Sequence, residues 1–415
     1  MLKIMINKIS NTYNNHHYVP QWYQKNFIFN NKKQKELYYL ELNPKQSTTQ
    51  NGHIYYPKNP ISRPTEHCFN EDNLYSLSIN QQTIKLIETE IFGVIDKKSS
   101  DSINYFQNFQ HPSVKPEALD YLLLHMSSQK LRTPKGLKWL ENKFKIKNKN
   151  DLLEILVDLL YLYCAIWTDS IWQIADATNS NTKFILSDHP VTTYNKTCGP
   201  HSNLCRDYND PDIRLNGTHT IFPLSLNKII IITNLSWARN PYQNSKSTRP
   251  NPDFFRDAMF KFTDIQTHRL LTEQEVREIN YIIKKRAYKY IASTEKEWLY
   301  PEKYVSKKWD SYGKGYLLMP DPRSLSLGGT IYVGHNNNAT KVYDEYSRHP
   351  NNPDFEKESK TLSEKNTLYK FKGEFARLFG PYRRGRIFQS LQLEPEKDDD
   401  DYHQYHLSLE KKYRY

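Results

Sequence analysis

The apolar residues of this chain change their spacing part-way along, and that change limits the fold more than any other feature. Over about 114–172 they recur at helical intervals. Leu119, Leu122, Leu123 and Met126 make one apolar face, and Pro116 suits the first turn of the helix that carries it. Thr133-Pro134 ends that helix or begins the next, because the residue before a proline avoids the helical region. KIKNKN (145–150) reads as a polar connection, and Asp151 is placed to cap the helix after it. ILVDLLYLYCAIW (155–167) is shorter than the roughly 20 apolar residues that span a bilayer and is interrupted by Asp158, so it reads as a buried helix. From about Lys183 the runs KFILS, HTIFPL and KIIIIT are short, β-branched or apolar, and separated by polar turns, which is the pattern of strands. Thr272-x-x-Glu275 ahead of Val276, Ile279 and Ile283 is a capping box and predicts a helix; AYKYIA after it reads as a strand. The expected fold is α+β, a helical N-terminal half packed on a mostly antiparallel sheet.

Around this core, KELYYLEL (35–42) is a further strand. Residues 81–95 predict a helix from the stripe Ile84, Ile87, Ile91, Val94 and Ile95. The expected division is a core over 1–298 (helical over about 81–172, strand-rich over about 183–298), a basic accessory module over 299–390 and a charged tail over 391–415. Residues 362–388 carry seven basic residues against two acidic ones. Lys370, Lys372, Arg377, Arg383, Arg384 and Arg386 there are expected to hold a nucleic-acid backbone, with Tyr369, Phe371, Phe375 and Tyr382 to stack on bases. Leu368, Phe371, Phe375 and Leu378 equally have the spacing of a helix's apolar face. The acidic run Asp398 to Asp401 reads as a solvated tail able to shield the basic stretch.

Charge and composition narrow the function classes. With 58 Lys and Arg against 46 Asp and Glu, the net charge is +12, which favours polyanionic partners; a Lys- and Asn-rich composition accounts for the same number. The 31 Tyr, 18 Phe and 7 Trp argue against disorder. Four cysteines are too few for a disulfide scaffold, and MLKIMINKIS lacks the apolar core of a signal peptide, so a reducing cytoplasm and no membrane partner are expected. CGPHSNLC places Cys198 and Cys205 about His201; the spacing is unusual for a zinc site, and an ordinary loop is the competing reading. Walker A, G-x-G-x-x-G, H-E-x-x-H and G-x-S-x-G patterns are missing. Nucleotide-driven motors, dinucleotide oxidoreductases, zincins and α/β-hydrolases are therefore poor matches.

Four groups of residues have chemical capacity. His16 and His17 are adjacent, so in an extended chain they point opposite ways; one can act as base or metal ligand while the other packs. Ser187-Asp188-His189-Pro190 follows the strand KFIL, where a carboxylate either projects into a cleft or folds back to hold a turn. His125, Gln129 and Arg132, four and three residues apart, share one side of a helix. The Arg132 guanidinium there can hold a phosphate or tie the helix end to a buried acid. Glu88 borders the isoleucine stripe and can pair with Arg132, help bind a metal or serve structure alone.

In order along the chain, HHYVPQWYQKNF, SSQKLRTP, FILSDHPV and IFPLSLNKIIII resemble a bacterial family defined by a domain of unknown function. That family opens with His-His-x-Val-Pro-x-x-Tyr and later carries Thr-Ser-Asp-Asn-Pro-Val. The resemblance covers about 14–293. Leu186 and His189 stand where the family usually has Thr and Asn, so His189 would have to replace any hydrogen bond or ligand the Asn supplies. Some relatives lie in phage and satellite hotspots that carry antiviral systems, which implies anti-phage defence and a phage-derived trigger. The expectation is thus a defence effector, a nuclease using Mg²⁺ or Mn²⁺. Its site residues would be His16, His17, Gln129, Arg132 and Asp188, with His17, Asp188 and Glu88 on the metal. The alternative is a non-catalytic protein that binds nucleic acid or senses phage.

Overall fold

The computed structural model describes residues 15–29, 36–48, 51–109, 115–234, 265–312 and the strands at 330–334 and 340–344, apart from scattered positions within those ranges. The basic stretch at 362–388, with Lys370, Lys372, Arg377, Arg383, Arg384 and Arg386, and the acidic tail lie outside the described residues.

The chain runs through β1 (Asn15–His17), a short helix α1 (Gln21–Lys25), β2 (Glu36–Glu41), β3 (Ser47–Thr48), β4 (Ile54–Tyr55), β5 (Ile61–Pro64) and β6 (Asn70–Asp72). β7 (Leu77–Ile79) and β8 (Gln82–Ile84) then form an antiparallel hairpin, so the helix predicted over 81–95 begins late. It opens as a π-turn at Ile87–Phe92 and continues as α2 (Gly93–Gln107). A π-turn holds more residues per turn than an α-helix, so a stripe counted at 3.6 drifts out of register. Ile87 and Ile95 are buried, whereas Val94 is half exposed.

Four helices follow: α3 (Pro116–Leu131), α4 (Pro134–Phe144), α5 (Lys149–Asp158) and α6 (Leu162–Thr168). Pro116 occupies the first position of α3, and Thr133 caps α4. Asn148, rather than Asp151, caps α5: its side chain accepts from the Asn150 N–H at 2.8 Å, and Asp151 lies in the first turn. The stretch at 155–167 is two helices rather than one, broken between Asp158 and Leu162. The helical block also stops short of Trp172. β9 (Ser170–Asp176) is a strand buried on both faces, which apolar periodicity alone cannot tell from a buried helix. Next come β10 (Leu186–Ser187), β11 (Thr192–Asn195), β12 (Thr218–Pro223), β13 (Lys228–Asn234), β14 (Gln266–Leu270), α7 (Glu273–Arg286) and β15 (Tyr290–Ser293). The expected capping box is present at α7, with Thr272 and Glu275 exchanging bonds of 2.8 and 3.3 Å. A last hairpin joins β16 (Thr330–Gly334) to β17 (Thr340–Asp344).

The main sheet has the order β11-β12-β13-β9-β14 and is antiparallel except for the β9–β14 pair. A second, antiparallel sheet has the order β10-β15-β2-β5. The fold is α+β. Helices α1 and α3 reach the main sheet through aromatic contacts: Tyr23 stacks on Phe222 at 5.4 Å, and His125 lies 6.0 Å from the same ring. Trp167 of α6 donates to Thr220 on β12 at 3.1 Å. α7 covers β10 and β11. The packed core continues past 298: Leu299, Val305 and Tyr312 are buried, and the Tyr194 hydroxyl donates to the Trp309 carbonyl at 2.8 Å.

Candidate functional site

The break between α3 and α4 puts three cations at one corner. Lys130 and Arg132 are two residues apart at the end of a helix, about 200° around its axis, so they face opposite ways. Thr133-Pro134 then turns the chain, and Lys135 enters the first turn of α4. The turn is tight enough to require glycine at 136. A Cβ there would lie 2.3 and 2.5 Å from the Lys130 and Leu131 carbonyl oxygens of the helix before it.

On one side of the corner, Arg132 is fully buried and clasps Asp96 of α2 through two bonds of 3.0 Å. Its guanidinium rests on the Phe92 ring at 5.0 Å, and its carbonyl accepts from the Tyr75 hydroxyl at 2.7 Å. The Gln129 amide, oriented to satisfy both ends, accepts from Arg132 at 2.9 and 2.6 Å and donates to the Tyr18 carbonyl at 3.2 Å. His125 completes the group 3.6 Å from Asp96. Burial raises the Asp96 carboxyl, but Arg132 and His125 outweigh it and hold it below its ordinary value. Thus the stripe His125, Gln129, Arg132 does assemble, and it assembles on a partly buried acid of the neighbouring helix. Glu88 sits in the adjoining π-turn with Oε2 buried and no hydrogen-bond partner; burial raises its carboxyl, against the pull of Arg132. Arg132 is bonded to Asp96 instead.

On the other side, Lys130 and Lys135 share a single carboxylate, Asp210, at 2.8 and 2.5 Å. Asp210 comes from the connection between β11 and β12. The Lys130 ammonium also donates to Thr193 Oγ1 at 3.3 Å, and Lys135 to the Arg286 carbonyl at 2.8 Å. An ammonium has three donors, so each lysine has one N–H beyond these bonds. His189 links the corner to the acid. Asp210 accepts only, so Nε2 carries the proton and donates to it at 3.2 Å; Nδ1 then accepts from the Thr133 hydroxyl at 2.7 Å. That hydroxyl in turn accepts from the Gly136 N–H at 3.2 Å. Burial pushes His189 down to about 4, so the ring is neutral at pH 7. Burial raises Asp210 too, but the two ammonium groups dominate and hold it well below the carboxylate range. Burial lowers Lys130; Asp210 pulls it back up, and neighbouring Lys135 and Arg286 push it further down.

This cluster floors a cavity of about 290 Å³. Trp139, Tyr163, Ile166 and Ile213 are among its walls. Phe144, Leu162 and Tyr208 stand at the opening, each 40–46% exposed. Lys143 and Asp212, both exposed, lie on the same lining.

Residues 15–297 match the model of a family described as a protein of unknown function, DUF4238. The chain belongs to the DUF4238 family. No curated protein and no solved structure matches it. Lys130, Lys135, His189 and Asp210 all fall inside the DUF4238 match, as do the residues expected from sequence to form a metal centre. Those expected ligands do not converge. His16 is buried, accepts from the Tyr75 N–H at 3.0 Å and stacks on that ring, while half-buried His17 donates to the Glu66 carbonyl at 3.0 Å. The opposite orientations follow from strand alternation. Asp188 is sealed in: its oxygens accept from the N–H groups of Tyr288, Lys289 and Tyr290 at 2.8, 2.6 and 2.8 Å. Burial pushes its carboxyl up to about 6 against those donors. It holds the turn into β15, the structural alternative for that motif. Among the described residues no group of three or more His, Cys, Asp or Glu side chains is placed to hold a metal ion, and Cys198 and Cys205 are free thiols. None of the described helices is long and apolar enough to cross a membrane.

Sequence reasoning passed over Lys130, Lys135 and Asp210. A signal was available in QKLRTPKG: three cations packed about a helix break, followed by a glycine. Asp210, next to Pro211, looks like an ordinary turn residue, and nothing local marks it as a buried counter-ion.

Proposed function

We propose that this DUF4238 protein is a nucleic-acid-binding protein that recognises a phosphate group in the cavity floored by Lys130, Lys135 and Asp210. The observation that carries this reading is the uneven pairing of buried charge: two ammonium groups on one carboxylate, each with a further N–H, beneath an opening lined by aromatic rings. An entering phosphate supplies the missing negative charge and accepts those donors. The aromatic walls suit a base. Hydrolysis by the expected metal-assisted route needs Asp188 and Arg132 free, and both are occupied by other partners. Recognition is therefore the reading carried forward.

The test is fluorescence anisotropy with 5′-phosphorylated, 3′-labelled single-stranded DNA and RNA, titrated with the full chain. The informative variant is Lys130→Met/Lys135→Met/Asp210→Leu, which removes the ion cluster as a unit; apolar replacement of a whole buried ion group is often neutral or stabilising. Affinity is expected to fall at least about tenfold in the folded variant, and to weaken with salt in the wild type. Equal affinity in the two proteins refutes the cavity as the site.

A further inference from the structure

Resting on that phosphate reading, the geometry points to a narrower ligand: we infer that the cavity takes a terminal phosphomonoester on a single nucleotide, either free or at the end of a strand, and not the internal phosphodiester of a chain passing over it.

Depth is the first reason. The side chains of Lys130, Lys135 and Asp210 are only 8, 9 and 7% accessible. They lie behind Phe144, Leu162 and Tyr208 at the opening. An internal phosphodiester is flanked by sugar on both sides, and reaching this floor would draw two strand directions into a space of about 290 Å³. That volume is at the lower edge of the roughly 300–1,000 Å³ of small-ligand pockets. A terminal phosphate enters with one nucleoside behind it.

Charge is the second. Arg286 lies beside the cluster: its carbonyl accepts from Lys135, and its guanidinium stacks on Trp309 at 5.0 Å and donates to the Cys198 carbonyl at 2.5 Å. That guanidinium is bonded elsewhere and is not on the cavity lining, so Lys130 and Lys135 are the two cations on Asp210, and His189 adds none while neutral. One positive charge and two N–H donors are left over. A phosphodiester offers two terminal oxygens to those donors and to the start of α4, whereas a phosphomonoester offers three and brings about 1.5 to 2 negative charges at pH 7.

Lining is the third. Trp139, Tyr163, Phe144 and Tyr208 line the same cavity as the ammonium groups, and the Lys130 ammonium lies over the Tyr163 ring at 5.7 Å. Base contacts with such rings tolerate any base, because every base has a π-face. The N-terminal turn of α4, where Gly136 lines the cavity, adds its dipole in the same sense.

Calorimetry on the full chain tests this with AMP, adenosine, the methyl ester of AMP, indole-3-acetate, and one oligonucleotide carrying either a 5′-phosphate or a 5′-hydroxyl. AMP and the 5′-phosphorylated strand are expected to bind. The methyl ester, a phosphodiester on the same nucleoside, is expected to bind at least about tenfold more weakly, adenosine not to bind, and the triple variant to lose all of it. Equal binding of the two oligonucleotides, with both weakened in the triple variant, overturns the terminal monoester and leaves phosphate recognition standing. Indole-3-acetate binding as well as AMP overturns the phosphate class in favour of an aromatic acid. No binding by any probe overturns both readings.

Discussion

Replacing Gly136 with alanine tests the corner on which the cavity is built. In an ordinary helix the change stabilises by about 1 kcal/mol, because alanine loses less backbone freedom. Here the added Cβ meets the carbonyl oxygens of Lys130 and Leu131 at 2.3 and 2.5 Å and the Leu131 carbonyl carbon at 2.7 Å. All three are backbone atoms, so no side chain can swing aside. Ordinary contact begins near 3.4 Å, and the end of α3 must therefore move about 1 Å from the start of α4. Overpacking of this kind costs about 1–3 kcal/mol, occasionally more. The movement also strains the Thr133 cap on Gly136, a contact type worth about 0.5–2 kcal/mol. Setting these against the propensity gain leaves a net loss of about 2 kcal/mol. Urea unfolding followed by tryptophan fluorescence and by circular dichroism reads the shift in midpoint, and ligand binding should weaken with it because Lys130 and Lys135 move. Gly136→Ala unfolding at the wild-type urea concentration, or above it, would refute the close approach and with it the rigid floor.

Three other outcomes follow from the same contacts. Asp188→Asn turns an amide N–H toward at least one of the backbone donors at 288, 289 and 290, so stability should drop by about 1–3 kcal/mol in urea unfolding; an unchanged midpoint would mean that Asp188 does not hold the turn. Arg132→Met strands the Asp96 carboxylate and should cost about 3–5 kcal/mol, whereas Arg132→Met/Asp96→Leu should recover most of it; failure of the second change to rescue the first would break the pairing. Burial holds His189 down to about 4 and His219 to about 3, while the unfolded chain protonates both below about 6.5. The unfolded state therefore binds more protons in that interval. The stability these groups lend is present above pH 6.5 and is lost as pH falls toward 4, by about 2 kcal/mol for each between pH 7 and 5. His189→Asn should flatten the measured pH slope by one such share, and an identical slope would show that His189 is not buried neutral.

Local rules made much of this fold legible. Pro116 opens α3, Thr133-Pro134 separates two helices, the Thr272–Glu275 box starts α7, and the β-branched runs after Lys183 supply strands, because each depends on backbone sterics or contacts within a few residues. Where two conformations share one apolar signature, the chain alone did not decide: Ser170–Asp176 is a strand because β13 and β14 pair with it on both edges. The candidate residues divide in the same way. The face shared by His125, Gln129 and Arg132 follows from helical spacing, but their partner Asp96 is set by how α2 lies on α3. Asp188 belongs to a local string, yet the three N–H groups that fill it come from residues about a hundred positions later. Lys130, Lys135, His189 and Asp210 are brought together from α3, α4, the end of β10 and the β11–β12 connection. Sequence fixes which charges the chain carries and which face of a helix each one takes. Whether a charge is compensated depends on through-space distance and exclusion of water, and those exist only once the helices and sheets have packed.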